Sequence, residues 1–140
     1  MTIPIDTGPK KSTAETVGHV AKLYKERREE TEQMLNEIDA ISRQGIALLK
    51  ANKLKEFGEL MYRNHELLKM LGVSSEGLDK AVEKAKAYGM LGAKLSGGGG
   101  GGIAIVLADE GKESLDFFKE MGFDVRKVSI DYNGAKGLSM

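Results

Sequence analysis

Six consecutive glycines, residues 97–102, stand between two apolar segments of this 140-residue chain. Each glycine in regular structure costs roughly 0.5–1 kcal/mol relative to alanine, whereas a whole domain is stabilised by only about 5–15 kcal/mol. A glycine run is therefore expected where the backbone must approach another surface closely or gather its N–H groups around an anion. The open alternative is a tight hairpin that binds nothing. The candidate anion-facing loop comprises Ser96, Gly97, Gly98, Gly99, Gly100 and Gly101.

The two familiar glycine-rich phosphate motifs do not fit this run. It satisfies G-x-G-x-x-G trivially, but a strand-like segment follows where the dinucleotide fingerprint needs a helix. No lysine followed by serine or threonine closes it, so it is not a Walker A loop. A flexible linker is also disfavoured, because both flanks are strand-like and too close together to be separate domains.

A second candidate anion site is the segment "KKST" at residues 10–13. Lys10 and Lys11 precede a predicted helix whose N–H groups and dipole favour negative charge, and the hydroxyls of Ser12 and Thr13 add donors. The alternative is an ordinary capping box formed by Ser12 and Glu15, which contributes about 1 kcal/mol. The residues alone leave both interpretations open.

Asn64 and His65 lie on or beside the apolar stripe of the third predicted helix. We expect both to be buried polar groups that bond to a neighbouring helix or loop, since a buried amide or imidazole must find partners. Direct contact with a substrate is the alternative.

Composition excludes several classes of function. The 21 basic and 21 acidic residues give zero formal charge, which argues against broad nucleic-acid binding. The absence of cysteine excludes disulfides and thiolate metal sites, and no metal site is predicted. No apolar segment is long enough for a membrane span, and the amino terminus lacks a signal-peptide core. We expect a soluble cytoplasmic protein without nucleic-acid or membrane partners.

Periodicity predicts one α+β domain over residues 1–140, with a frayed tail at 132–140. The segment "TIPID" is expected to be a strand near a sheet edge because of Pro4, and "IAIVLA" a central strand. The predicted fold is a small, mainly antiparallel, ferredoxin-like sheet with several helices packed on one side. The other predicted elements are helices at 12–29, 31–51, 53–71, 75–89 and 111–122, and strands at 92–96 and 123–131.

Three segments, "KKSTAETV", "NHELLKMLGVSS" and "LGAKLSGGGGGGIAIVLA", resemble the carboxy-terminal half of mevalonate kinases in order and spacing. This places the chain in the GHMP small-molecule kinase superfamily, over about residues 3–131. The glycine motif is typical of the superfamily at large. The other two segments point more narrowly to mevalonate kinase.

The resemblance implies roles for both candidate segments. The glycine segment would lie against the nucleotide-binding loop at the interface of two domains and help to shape the phosphate site. Lys11, Ser12 and Thr13 would contribute to the substrate pocket. Many relatives have arginine where Lys11 stands, and lysine lacks the bidentate fork of arginine. Family members also often carry alanine where this chain has Gly98.

The superfamily's main phosphate loop and the segment with its catalytic aspartate are not found in this sequence. The resemblance therefore implies a missing amino-terminal ATP-loop domain, no catalytic residue in this chain, and an isolated chain without activity. The complete enzyme would use ATP and Mg²⁺ and phosphorylate a small alcohol. A homodimer is also predicted, through the surface that the missing half would cover.

Mevalonate, converted to phosphomevalonate in isoprenoid biosynthesis, is the acceptor that the resemblance favours. The alternatives are a sister kinase acting on phosphomevalonate, homoserine or a sugar, and a non-catalytic ferredoxin-like module that binds ligands or partners on its own.

Overall fold

The structure, a computed structural model, describes residues 2–6, 13–96, 102–108 and 124–125. In chain order the elements are β1 (Thr2–Asp6), α1 (Thr13–Glu26), α2 (Arg28–Lys50), α3 (Leu54–Met70), α4 (Glu76–Tyr88), β2 (Gly92–Ser96), β3 (Ile103–Leu107) and β4 (Asp124–Val125). The predicted α+β class is confirmed. The helix predicted at 111–122, the tail at 132–140 and most of the last predicted strand lie outside the described residues.

The four strands form one sheet in the order β2–β3–β1–β4, and every described pair is antiparallel. The central position predicted for β3 is confirmed. β1 lies between β3 and β4 rather than at the edge, but β4 pairs only with Ile5 and Asp6. Pro4, which has no N–H to give to a sheet, pairs with Ile105 of β3, and the described part of β4 does not extend to it.

One face of the sheet packs against α4 to form the hydrophobic core. Alternate residues of β2 and β3 point to this face, as the two-residue period of a strand requires. On the helix, buried positions recur at spacings of three and four. The core consists mainly of Ile5, Leu78, Ala81, Val82, Ala85, Ala93, Leu95, Ala104 and Val106.

Helix α3 lies against β2 with almost no space between the two backbones. A Cβ added at Gly58 would overlap the carbonyl oxygen of Leu91, and one added at Gly92 would lie 2.6 Å from the Cα of Gly58. Only glycine at both positions allows this approach. Because His65 follows Gly58 by two helical turns, it too is brought against β2.

The helix ends follow local sequence signals. Ser75 caps α4 by accepting a hydrogen bond from the Leu78 N–H at 3.2 Å, as the segment "GVSSEG" predicts. Gly72 and Gly89 have φ angles of +79° and +90° after α3 and α4. The break between α1 and α2 falls at Arg27, a few residues earlier than predicted. Among the described residues, no helix combines the length and apolarity of a membrane span.

Candidate functional site

The two candidate anion-binding segments leave the sheet at the same end. Ser96 and Asp6 both pair with Ile103, one on each side of it. Two inter-strand spacings separate them, which is about 9–10 Å. The glycine segment continues from Ser96, and the segment containing "KKST" continues from Asp6 to the start of α1. Gly102 precedes β3 with a φ of +95°, a conformation that favours glycine.

The predicted site residues divide into two groups. Ser96 is the last residue of β2 and is partly buried, and Thr13 is the first residue of α1. Lys11, Ser12 and residues 97–101 lie outside the described residues. The structure therefore brings together the strand ends from which both segments depart, and the roles of the individual side chains stay predictions.

His65 joins α3 to β2 and α4 through a buried hydrogen-bond cluster. Its Nδ1 accepts from the Leu95 N–H at 3.1 Å, and its Nε2 lies 2.9 Å from Asp79 Oδ1. Ser74 Oγ donates to the same carboxylate oxygen at 2.7 Å. Since Nδ1 is an acceptor, the neutral ring carries its proton on Nε2 and donates it to Asp79. The prediction of a satisfied polar group is confirmed for His65.

Serine, histidine and aspartate occur together here, but their geometry does not suit nucleophilic catalysis. In a catalytic triad the serine and the carboxylate bond to opposite ring nitrogens. Here Ser74 Oγ, at 3.5 Å, and Asp79 both lie near Nε2, while Nδ1 is occupied by backbone. Burial lowers the pKa of His65, and the Asp79 carboxylate opposes that shift. The cluster instead fixes β2 one residue before Ser96.

An open cavity of about 580 Å³ lies between α2, α3 and the strands β2 and β3. Its polar lining consists of Asn64, the partly buried Lys94 and Ser96, and the exposed Ser42. Its walls are otherwise apolar. The apolar lining residues are Ile38, Phe57, Met61, Leu68, Val73, Leu95, Ile105 and Leu107.

Two of these polar groups lack a partner of the kind they need among the described residues. Asn64 is 7% exposed, and its Oδ1 accepts no hydrogen bond from the residues that the structure describes. For this oxygen the prediction of a satisfied group is wrong, because no donor among the described residues reaches it. Lys94 forms no ion pair within the described ranges, and burial lowers its pKa.

Lys94 is a candidate that the sequence prediction missed. In "GAKLS", Ala93 and Leu95 alternate with Lys94 and Ser96, so the lysine lies on the face opposite the core, where the sequence alone predicts a solvated side chain. Within the described part of the chain, no group of three or more His, Asp or Glu residues could hold a metal ion.

Comparison with known proteins identifies the family to which this fold belongs. The family model described as GHMP kinases C terminal matches residues 46–121, more than half of the chain. The mevalonate kinase of Methanocaldococcus jannaschii is 42% identical over 112 residues, which cover 80% of this chain and 33% of that protein. The chain thus spans about a third of the length of this relative.

Solved structures give the same fold. L. major mevalonate kinase, crystallised with R-mevalonate, has a TM-score of 0.73 and 33% identity, covering 86% of this chain and 36% of that one. The Lin0012 protein of Listeria innocua has a TM-score of 0.82 over 91% of this chain and 38% of its own. At 18% identity it shows the fold alone. By its family match, its sheet order and its relatives, this chain belongs to the family of GHMP kinase carboxy-terminal domains.

Proposed function

We propose that this chain is the carboxy-terminal part of an ATP-dependent kinase that phosphorylates mevalonate. The observation that carries the proposal is the shared end of the sheet: Asp6 and Ser96 both pair with Ile103, and in the sequence "KKST" follows Asp6 and the glycine run follows Ser96. Identity of 42% to a mevalonate kinase supports mevalonate as the acceptor. Identity of 33% to the kinase crystallised with R-mevalonate supports it as well.

Each segment has a physical role in this proposal. Backbone N–H groups of the glycine segment, free of side chains, form a wall of the site for the ATP phosphates. Lys11, Ser12 and Thr13 offer a positive charge and hydroxyl donors to the acceptor, which carries a carboxylate. Phosphoryl transfer depends mainly on positioning and on neutralising charge. This chain contributes to both and supplies no base.

The hydrogen-bond cluster of His65 supports the proposed phosphate wall. The ring accepts from Leu95, and the glycine segment begins two residues later. A fixed strand end limits the conformations of the segment that follows, so its N–H groups need less ordering when phosphates bind. His65 is in this sense a positioning residue.

The proposal includes partners and a compartment. Mg²⁺ would accompany ATP and neutralise phosphate charge when bound. The remaining two-thirds of the enzyme would carry the main ATP loop and the catalytic aspartate. We expect the complete enzyme in the cytoplasm, and its homodimer stays a prediction.

A chimera tests the function directly. This chain would replace the matching third of the Methanocaldococcus jannaschii mevalonate kinase, and ATP-dependent phosphorylation of mevalonate would be measured by ADP release and product mass. We expect turnover by the chimera and none by the isolated 140-residue chain. A folded chimera without turnover on mevalonate would overturn the assignment.

Phosphomevalonate, homoserine and galactose serve as alternative acceptors in the same assay. Preference for any of them over mevalonate, measured as kcat/KM, would reassign the chain to a sister kinase of the family. Calorimetry of the isolated chain with ATP separates the non-catalytic alternative, since only a self-sufficient binding module would bind it without the rest of the enzyme.

A further inference from the structure

Lys94 of β2 is a partly buried lysine that lines the open cavity between α2, α3 and the sheet. The cavity has a volume of about 580 Å³, and most of its walls are apolar, including Phe57, Leu68 and Ile105. Lys94 forms no ion pair with the described residues, and burial alone lowers its pKa. In this part of the chain its amine has neither a counter-ion nor full hydration.

Such surroundings make a lysine more nucleophilic. An exposed lysine, with a pKa near 10.4, is neutral in only about one molecule in a thousand at pH 7.4. Burial disfavours the charged form, and the neutral amine has the free lone pair that attacks a carbonyl carbon. A larger share of Lys94 is therefore neutral and reactive than of an exposed lysine such as Lys84 of α4.

We propose that Lys94 is a covalent attachment site for small apolar aldehydes, which form an imine with its Nζ and pack their hydrocarbon portion on the walls of this cavity. The proposal goes beyond the proposed kinase function, because neither the "KKST" segment nor the N–H groups of the glycine segment take part in it.

The reaction needs no oxidant or reductant. The Nζ lone pair forms a bond to the carbonyl carbon while the π electrons of the C=O bond move to its oxygen. A proton passes from nitrogen to oxygen and gives a carbinolamine. Loss of the hydroxyl group together with the second nitrogen proton releases one water and leaves a C=N bond, so that aldehyde and amine become imine and water.

The surroundings of Lys94 favour an aldehyde over an anion as the ligand. An anion would pair with the ammonium form, which burial disfavours, and would itself lose hydration among apolar walls. A neutral imine removes the charge that burial penalises. The cavity is large enough for a small organic molecule, and each CH₂ group that the walls remove from water strengthens binding. Aldehydes of several carbons are therefore preferred to the smallest ones.

The test is reductive alkylation of the 140-residue chain with straight-chain aldehydes from propanal to octanal. Cyanoborohydride traps each imine as a stable amine, and peptide mass mapping gives the rate at each lysine. We expect Lys94 to react faster than Lys84. Lengthening the aldehyde from propanal to pentanal should raise the ratio of the two rates about tenfold, as burial of two more CH₂ groups predicts. Equal rates at the two lysines, or a ratio independent of chain length, would overturn the proposal.

Two variants at neighbouring positions of α2 locate the reaction in the cavity. Ser42 is exposed and lines the cavity, so Ser42→Trp fills it from the solvent side and should lower the rate of Lys94 with pentanal about tenfold. Arg43 is exposed as well and is not among the lining residues, so Arg43→Trp should leave that rate unchanged. An undiminished rate in Ser42→Trp, with a native circular dichroism spectrum, would contradict the assignment. Neither ATP nor a further domain is involved, so failure here is distinct from failure of the kinase assay.

Discussion

Asn64 and His65 are neighbours in the chain, both polar and both buried, yet their surroundings differ completely. His65 uses both ring nitrogens, one on the Leu95 backbone and one on Asp79. Asn64 leaves its carbonyl oxygen without a donor among the described residues. Successive side chains of a helix point about 100° apart. His65 is therefore directed toward the β2 backbone, and Asn64 lies beside an open cavity.

The difference separates two uses of a buried polar group. A group with every partner in place holds elements together, because removing it strands those partners. A buried group without a partner costs stability, because it loses its water and gains no hydrogen bond. His65 is therefore assigned to architecture, whereas the Asn64 carbonyl oxygen costs stability, and the predictions below test that division together with the contact between α3 and β2.

The largest effect is expected from His65→Leu. The substitution leaves the Leu95 N–H without its acceptor and the Asp79 carboxylate without its ring donor. Each stranded group costs about 1–3 kcal/mol, so we expect a loss of about 3 kcal/mol in the free energy of unfolding, measured by urea denaturation.

The matched control is His19→Leu, at the exposed histidine of α1, where a change of less than about 0.5 kcal/mol is expected. Equal losses in the two variants would remove His65 from its architectural role. Hydrogen exchange at the Leu95 amide should also accelerate in His65→Leu only.

The next effect concerns the contact that brings α3 to β2. Gly58→Ala places a methyl group on the Leu91 carbonyl oxygen. Because a backbone atom cannot easily move away, we expect a loss of about 2 kcal/mol in the free energy of unfolding. At Gly18 of α1 an added Cβ has nothing within 4 Å. Gly18→Ala should therefore stabilise the protein by roughly 0.5–1 kcal/mol, because alanine favours a helix. Stabilisation in both variants would refute the close approach of the two backbones.

A smaller change of opposite sign is expected at Asn64. Asn64→Leu removes the unsatisfied oxygen and adds apolar surface beside a cavity that has space for it, so the free energy of unfolding should rise by about 1 kcal/mol. Thermal denaturation would measure it. A loss of stability would mean that Asn64 has a partner and belongs with His65 rather than in contrast to it.

The smallest effect is the pH dependence of His65. Because burial lowers its pKa below the usual 6.5, the folded state favours the neutral ring. This stabilisation is complete above about pH 6.5, the pKa of the unfolded chain, and is lost as pH falls through the lowered pKa. Urea unfolding between pH 8 and 5 should show a steeper decline for the wild type than for His65→Gln. Parallel curves would contradict the lowered pKa.

Local patterns predicted the elements well, because helix periodicity and capping depend on neighbouring residues. The stripe of α3 and the Ser75 cap follow from residues three and four apart. The contrast between Asn64 and His65 could not be predicted, since Leu95 is 30 positions from its imidazole partner. The Gly58–Gly92 contact likewise joins residues 34 positions apart and could not be predicted. The central position of "IAIVLA" could be predicted, because its apolar composition is typical of a central strand. Long-range pairing also placed β1 inside the described sheet.

The candidate site was predicted in a similar way. The glycine run and the "KKST" segment each stood out by residue type, but their common origin at one end of the sheet depends on the register of β1 and β3. That register needs the folded sheet. Lys94 was missed because a single lysine in a short strand is usually solvated, and only the neighbouring helices show its burial.

The most direct test of the kinase account is the steady-state kinetics of the chimera carrying Gly99→Val or Thr13→Ala. In this account the glycine segment contacts the ATP phosphates and the "KKST" segment contacts the acceptor. Gly99→Val should therefore impair kcat/KM for ATP by about tenfold or more, as loss of a phosphate contact would. Thr13→Ala should act chiefly on kcat/KM for mevalonate. Wild-type values for both substrates in both variants would contradict the claim that this end of the sheet forms part of the kinase site.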